Sequence, residues 1–305
     1  MLALAGYLAV QYLTGGTGAP RCRVVSGKSD GESYEFTPEQ AVNAATISAV
    51  GTTRGLPERA VAIALATALQ ESGLRNIQHG DRDSLGLFQQ RPSQGWGTTK
   101  QIMDPTYAAG MFYEHLAKVP RYTRLPLTVA AQRVQRSGYP QAYAKHEPDA
   151  TLLAAALTGR AAATLTCEGR PGAAPVGGPD SVRAALVRDF GREVLQEAGA
   201  DVSTAGSPAS PTAAPSLAPS PSVSGRTVTV PVRKDPTGDS TVRQRGWELA
   251  HWAVANSSAL HIQRVSYAGR EWTAGERNGE WRAAVTTSGS TAKPSPGEVR
   301  IVTAQ

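Results

Sequence analysis

Acid-catalysed cleavage of a glycosidic bond needs a carboxylic acid that is still protonated near neutral pH and lies beside the leaving oxygen. A Glu reaches that state by partial loss of water, which disfavours its charged form. The segment Val61-Ala62-Ile63-Ala64-Leu65-Ala66-Thr67-Ala68-Leu69-Gln70-Glu71-Ser72-Gly73 offers one. Its only acidic residue is Glu71, at the C-terminal end of an apolar helical run. Ala60, Ile63, Ala64, Thr67 and Glu71 share one face by three- and four-residue spacing. The negative end of the helix dipole pushes the pKa the same way. Position alone favours an ordinary surface residue in the last turn; the residues downstream of Gly73 tip the balance. Asp81 and Asp83 lie there, in a Gly/Asp/Ser stretch where either could aid a water or simply shape a turn. Trp96, in Gly95-Trp96-Gly97, and Tyr107 suit a sugar platform, with Trp96 equally able to plug the edge of a core. His79, His115 and His146 stand isolated, so the reading is of no metal and no cofactor.

The order Glu71-Ser72, Gly80-Asp81-Arg82, Gly86-Leu87-Phe88-Gln89 resembles the soluble lytic transglycosylases and, more closely, the goose-type lysozymes. In that superfamily a Glu-Ser pair ends a core helix and a Gly-Leu-Met-Gln segment lines the cleft; here Phe88 replaces the Met. The resemblance covers roughly residues 37–160. It implies a mainly α, lysozyme-like catalytic domain over 22–170, with Glu71 as acid and Asp81 helping the attacking water. Ser72, Gly86, Phe88, Gln89 and Trp96 would then meet substrate. The family's third motif, Ala-Tyr-Asn, has no clean copy. The nearest segments supply Gln135 and Tyr143, either of which could take its substrate-holding part. Goose-type enzymes also carry a second Asp near the place of Arg91. Its replacement leaves hydrolysis and anhydro-forming lysis both open.

Helices must hold this constellation. Thr37-Pro38-Glu39-Gln40 is a capping box with Pro at the first helical position, opening a helix towards Gly55. Leu56-Pro57 opens a second, which Gly73 closes. Asp104-Pro105, Leu127 to Ser137 and Pro140 to Gly159 give three more, and no alternating strand stands out before residue 160. Cys22 and Cys167, the only two cysteines, bracket this half. In an exported chain they read as a disulfide, with two unrelated thiols as the alternative. Residues 1–21 begin with an apolar run, Met1 to Leu13. It is shorter than the roughly 20 residues of a membrane span and reads as a signal peptide or the end of an anchor.

Beyond Cys167 lie an amphipathic helical extension over 171–200 and a Ser/Pro/Ala-rich linker over 201–225, whose composition cannot bury a core. Residues 226–305 read as a small α+β module: a strand at 227–232, a helix at 241–260, strands at 262–267 and 297–303. The Arg270-Glu271-Trp272 segment and the last strand faintly resemble zinc D-Ala-D-Ala carboxypeptidase-like domains. No His stands where that family binds zinc, so the module is read as non-catalytic.

The 305 residues carry a net charge of +6, which favours anionic partners without choosing one. No nucleic-acid recognition motif is present. The leading expectation is a secreted or membrane-anchored muramidase of the bacterial cell wall. It would cleave the β-1,4 bond between N-acetylmuramic acid and N-acetylglucosamine in peptidoglycan glycan strands. The alternative is a catalytically inactive wall-binding or scaffolding protein that keeps the cleft.

Overall fold

The computed structural model describes residues 20–28, 30–137, 139, 141–168, 178–196, 226–233, 241–276, 279–284 and 297–304. The linker over 201–225 and nearly all of the apolar leader fall outside these residues. The described chain is mixed α+β, with eight helices and two antiparallel sheets.

Two short strands come first, β1 (Cys22–Val25) and β2 (Ser33–Phe36). They correct the expectation that no strand stands before residue 160. Each is four residues long, too short for its alternation to stand out among polar neighbours. β1 sits between β2 and β3 (Leu165–Cys167), with Cys22 directly opposite Cys167. The two cysteines form a disulfide, as the sequence suggests. A disulfide fits an extracytoplasmic chain. Among the described residues no helix is long and apolar enough to cross a membrane.

Helices α1 (Pro38–Thr53) and α2 (Glu58–Ser72) come next. Thr37 and Gln40 form the reciprocal capping box at the start of α1, a device worth about 1 kcal/mol. α2 is buried on nearly every side from Ala60 to Leu69, as a helix apolar all round must be. A short α3 (Thr99–Ile102) leads into α4 (Pro105–Ala117), capped by Asp104, then α5 (Leu127–Gln135) and α6 (Glu147–Leu157). α2 packs against α1, α4, α5 and α6 and forms the centre of this half.

The extension becomes α7 (Pro179–Phe190), closed by a 3-10 turn at Arg192–Leu195. The C-terminal unit is a five-stranded sheet in the order β4-β8-β5-β6-β7, formed by β4 (Thr227–Pro231), β5 (Ile262–Tyr267), β6 (Arg270–Thr273), β7 (Arg282–Ala283) and β8 (Glu298–Thr303). β6 and β7 extend the three strands legible in the sequence. Helix α8 (Val242–Ala255) covers the sheet with one face. Its other face lies on α1, α6 and β3. Ten successive residues of α8, Gly246 to Ala255, are therefore buried.

Polar residues tie this junction together. Asp189 of α7 is buried and accepts from Thr46 Oγ1 of α1 at 3.3 Å and from Trp252 Nε1 of α8 at 2.8 Å. Glu248 is buried too, paired with Arg245 at 2.8 Å and bonded by the Thr52 hydroxyl of α1. At Gly159 the backbones meet: a Cβ there would stand 1.9 Å from the Gln244 carbonyl oxygen. Any larger residue would drive the two units apart.

Candidate active site

Glu71 owes its position to the way α2 ends. Gly73 adopts the left-handed conformation, φ 62°, and stops the helix one residue after Ser72. Its N–H returns to the Leu69 carbonyl and that of Leu74 to the Ala68 carbonyl, both at 3.0 Å. From α1, the Gln40 and Asn43 amides take the Gly73 and Leu74 carbonyls, each at 2.8 Å. Glu71 is thus left in the last turn, half-buried.

Two side chains, Gln135 at the end of α5 and Tyr143 beyond it, converge on it. The Tyr143 hydroxyl donates to Glu71 Oε1 at 2.7 Å, and the Gln135 amide lies near enough to lower the carboxyl's pKa. Burial raises the pKa of Glu71; the bond from Tyr143 and the nearness of Gln135 pull it part of the way back. Tyr143 is itself buried, and burial together with the charge of Glu71 raises its own pKa. The phenol therefore stays protonated and remains a donor. Ser137, which the sequence did not single out, lies near Tyr143 and offsets part of that rise.

The Gly86–Gln89 loop closes the other side. Leu85 and Gln90 pair as an isolated antiparallel bridge at its base. Gly86 has φ 75°, and a Cβ there would lie 2.8 Å from the Ile102 carbonyl oxygen, so only glycine fits. The Ser72 hydroxyl lies 2.8 Å from the Leu87 carbonyl and joins the loop to the end of α2. Gln135 Nε2 donates to the Phe88 carbonyl at 2.7 Å, so one amide spans loop and acid. Gln89 is half-buried and its side chain lies against Gly80.

Several expected substrate contacts are corrected by this geometry. The Phe88 side chain is fully buried and stacked on Phe112 at 4.7 Å between centroids, so only its carbonyl faces Gln135. Trp96 is buried against His115, with centroids 4.1 Å apart. Ser72 is buried behind the loop. These three position the site from within. Their residue types are equally at home in a core, and aromatic residues between glycines do not announce which way they face. The one strongly exposed large aromatic side chain among the described residues is Tyr139, 79% exposed, on the stretch that links Gln135 to Tyr143.

The acidic loop divides unequally. Asp83 accepts from Arg91 Nε at 2.7 Å and from the Ser93 backbone N–H at 2.8 Å, which hold its pKa well below the usual carboxylate range. Arg91 thus fastens a turn. Asp81 is almost wholly exposed, with Arg82 Nε 4.0 Å away. Glu71 bonds neither, and no carboxylate is among the groups that shift its pKa. Among the described residues no group of three or more His, Cys, Asp or Glu could hold a metal ion.

The family model of the VldE C-terminal domain matches residues 186–294, a little over a third of the chain. The match runs from the end of α7 through β7 and contains none of Glu71, Gln135 or Tyr143. No curated protein matches the chain.

Proposed function

We propose that the chain is a peptidoglycan muramidase of the bacterial cell envelope, secreted or membrane-anchored, whose lysozyme-like part spans residues 22–170. Glu71 would protonate the leaving oxygen of the β-1,4 bond between N-acetylmuramic acid and N-acetylglucosamine. The observation that carries the reading is the half-buried carboxyl at the end of α2, its pKa raised by burial, with Tyr143 fixing one oxygen at 2.7 Å. Burial favours the protonated form of the acid, and Tyr143 and Gln135 would set the direction in which the proton is delivered. Gly86, Gln89, Gln135 and Tyr143 are the cleft residues of this reading, with glycan strands as partner.

Anhydro-forming lysis fits better than hydrolysis. An inverting hydrolase places a second carboxylate about 6.5–9.5 Å from the first to hold a water. Asp81 points into solvent and Asp83 is bound to Arg91 and Ser93. Lysis uses the substrate's own C6 hydroxyl and needs no such base. Hydrolysis keeps one supporting observation: Gln89 lies against Gly80 and so ties the Asp81 turn to the cleft loop.

The test is mass analysis of products released from purified peptidoglycan. Anhydro-muropeptides, undiminished by Asp81→Asn, are the expected result. Reducing-end products that Asp81→Asn removes would make it a hydrolase. Wall binding with no release of fragments would refute the enzyme and leave the scaffold.

A further inference from the structure

A second concave site lies away from Glu71, where the turn after α6 meets the first turn of α8. It is a cavity of about 310 Å³ lined by Gly159, Arg160, Thr241, Arg243, Gln244 and Trp247. That is near the lower end of small-ligand sites, commonly about 300–1,000 Å³. The close approach of Gly159 to Gln244 sets the two walls side by side. Two guanidinium groups stand on opposite walls, and among the described residues no carboxylate lines the cavity. Arg160 is 63% exposed and holds Glu58 through Nη1 at 3.1 Å, which leaves its other nitrogens free to donate. Arg243 is exposed and makes no hydrogen bond or ion pair through its side chain among the described residues.

Backbone geometry adds to the positive field. α8 begins at this wall with no acidic residue in its first turn. Thr241 caps the Gln244 N–H at 3.2 Å, while the Val242 and Arg243 N–H groups have no acceptor among the described residues. First-turn N–H groups and the helix dipole favour an anion. Trp247 lines the cavity, is only 3% exposed, and its indole Nε1–H has no partner among the described residues.

We propose that this cavity binds a small ligand through an anionic carboxylate or phosphate group, with Arg160 and Arg243 as its charged clamp and the Trp247 ring as its apolar wall. The site is independent of the reading of Glu71, which lies at the other end of α2 from Glu58.

Indole N–H resonances of the full chain provide the test, because only five tryptophans are present. Trp247→Phe assigns one of the five. Inorganic phosphate and acetate are each titrated at an ionic strength held constant with chloride. The expected result is a saturable shift of the Trp247 resonance with one or both anions. Saturation by phosphate alone marks a phosphoryl ligand, and by acetate alone a carboxylate. Arg243→Gln, at an exposed position that leaves the melting temperature unchanged, should weaken binding at least tenfold, whereas Arg192→Gln should not. Absence of a saturable shift with both anions, or undiminished binding in Arg243→Gln, would overturn the proposal.

Discussion

His251 should make the docking of the C-terminal unit sensitive to acid. Its ring is fully buried in α8; Nδ1 lies 2.7 Å from the Ala156 carbonyl of α6, and Nε2 accepts from the Thr164 N–H at 3.2 Å. Only the neutral Nδ1–H tautomer satisfies both partners. Trp247 and Trp281 flank the ring, and burial lowers its pKa to about 4, against an ordinary 6.5. The sign is that of a group whose folded pKa is depressed. Stability is complete above pH 6.5 and falls as acid protonates the unfolded chain first. A gap of about 2.5 pH units, at about 1.36 kcal/mol each, amounts to roughly 3 kcal/mol by pH 4 and about 2 kcal/mol at pH 5. Urea denaturation of the parent and of His251→Gln, measured from pH 7.5 to 4.5, isolates this contribution because other groups titrate alike in both. The stability difference should move in favour of the variant as pH falls, by about 2 kcal/mol between pH 7.5 and 5. A difference that stays flat across that range would refute the reasoning.

Three further outcomes are expected of the site and its frame. Glu71→Gln should lower peptidoglycan cleavage at least about a hundredfold. Because the folded pKa of Glu71 is raised, its ionisation opposes folding as pH rises. The same variant should therefore melt higher than the parent at neutral pH and lose that gain in acid; a lower melting temperature at pH 7 would contradict the burial argument. Tyr143→Phe removes a bond that favours the ionised carboxylate, so the alkaline limb of the pH–activity profile should move to higher pH, and an unmoved limb would break the link. Cys22→Ser with Cys167→Ser opens a loop with a sequence separation of 145, which the chain-entropy model values at about 5 kcal/mol. A loss below about 2 kcal/mol in urea denaturation would count against that role.

The legible part of this protein was the part written in helical periodicity and caps. Glu71 was visible because an apolar run leaves a single acidic residue just before a glycine stop, and both the run and the stop are local signals. Gln135 and Tyr143 were open alternatives for one part; the structure brings both to the same carboxylate, which no one-dimensional spacing could reveal. Phe88, expected to face substrate, turns inward, and Trp96 takes the core-edge alternative, since a loop aromatic turns inward or outward according to what lies beneath it, here Phe112 and His115. Strands β1, β2, β3, β6 and β7 escaped because two to four residues carry too little pattern to register. The docked face of α8 was hidden by the Ser/Pro stretch before it, which reads as a tether. The signal that could have found it lies in Trp247-Glu248-Leu249-Ala250-His251-Trp252-Ala253-Val254-Ala255, apolar round more of the helix than one sheet can cover.

That docking bears on the acid itself. α2 rests against α1 and α6, and α8 rests against the same two helices. Thr52 of α1 bonds Glu248, and the Ala156 carbonyl of α6 takes His251, so the C-terminal unit holds both supports of the helix that carries Glu71. The chain carrying Tyr143 runs directly into α6 through the 3-10 turn at Ala144–His146. β3, tied to β1 by the disulfide, takes the Trp281 indole on its Leu165 carbonyl at 2.9 Å and anchors the sheet of the same unit. A hydrogen bond of 2.7 Å between Tyr143 and Glu71 tolerates little displacement before it is lost. The C-terminal unit, none of whose described residues bonds Glu71, is by this reasoning part of the frame that holds the Tyr143–Glu71 pair.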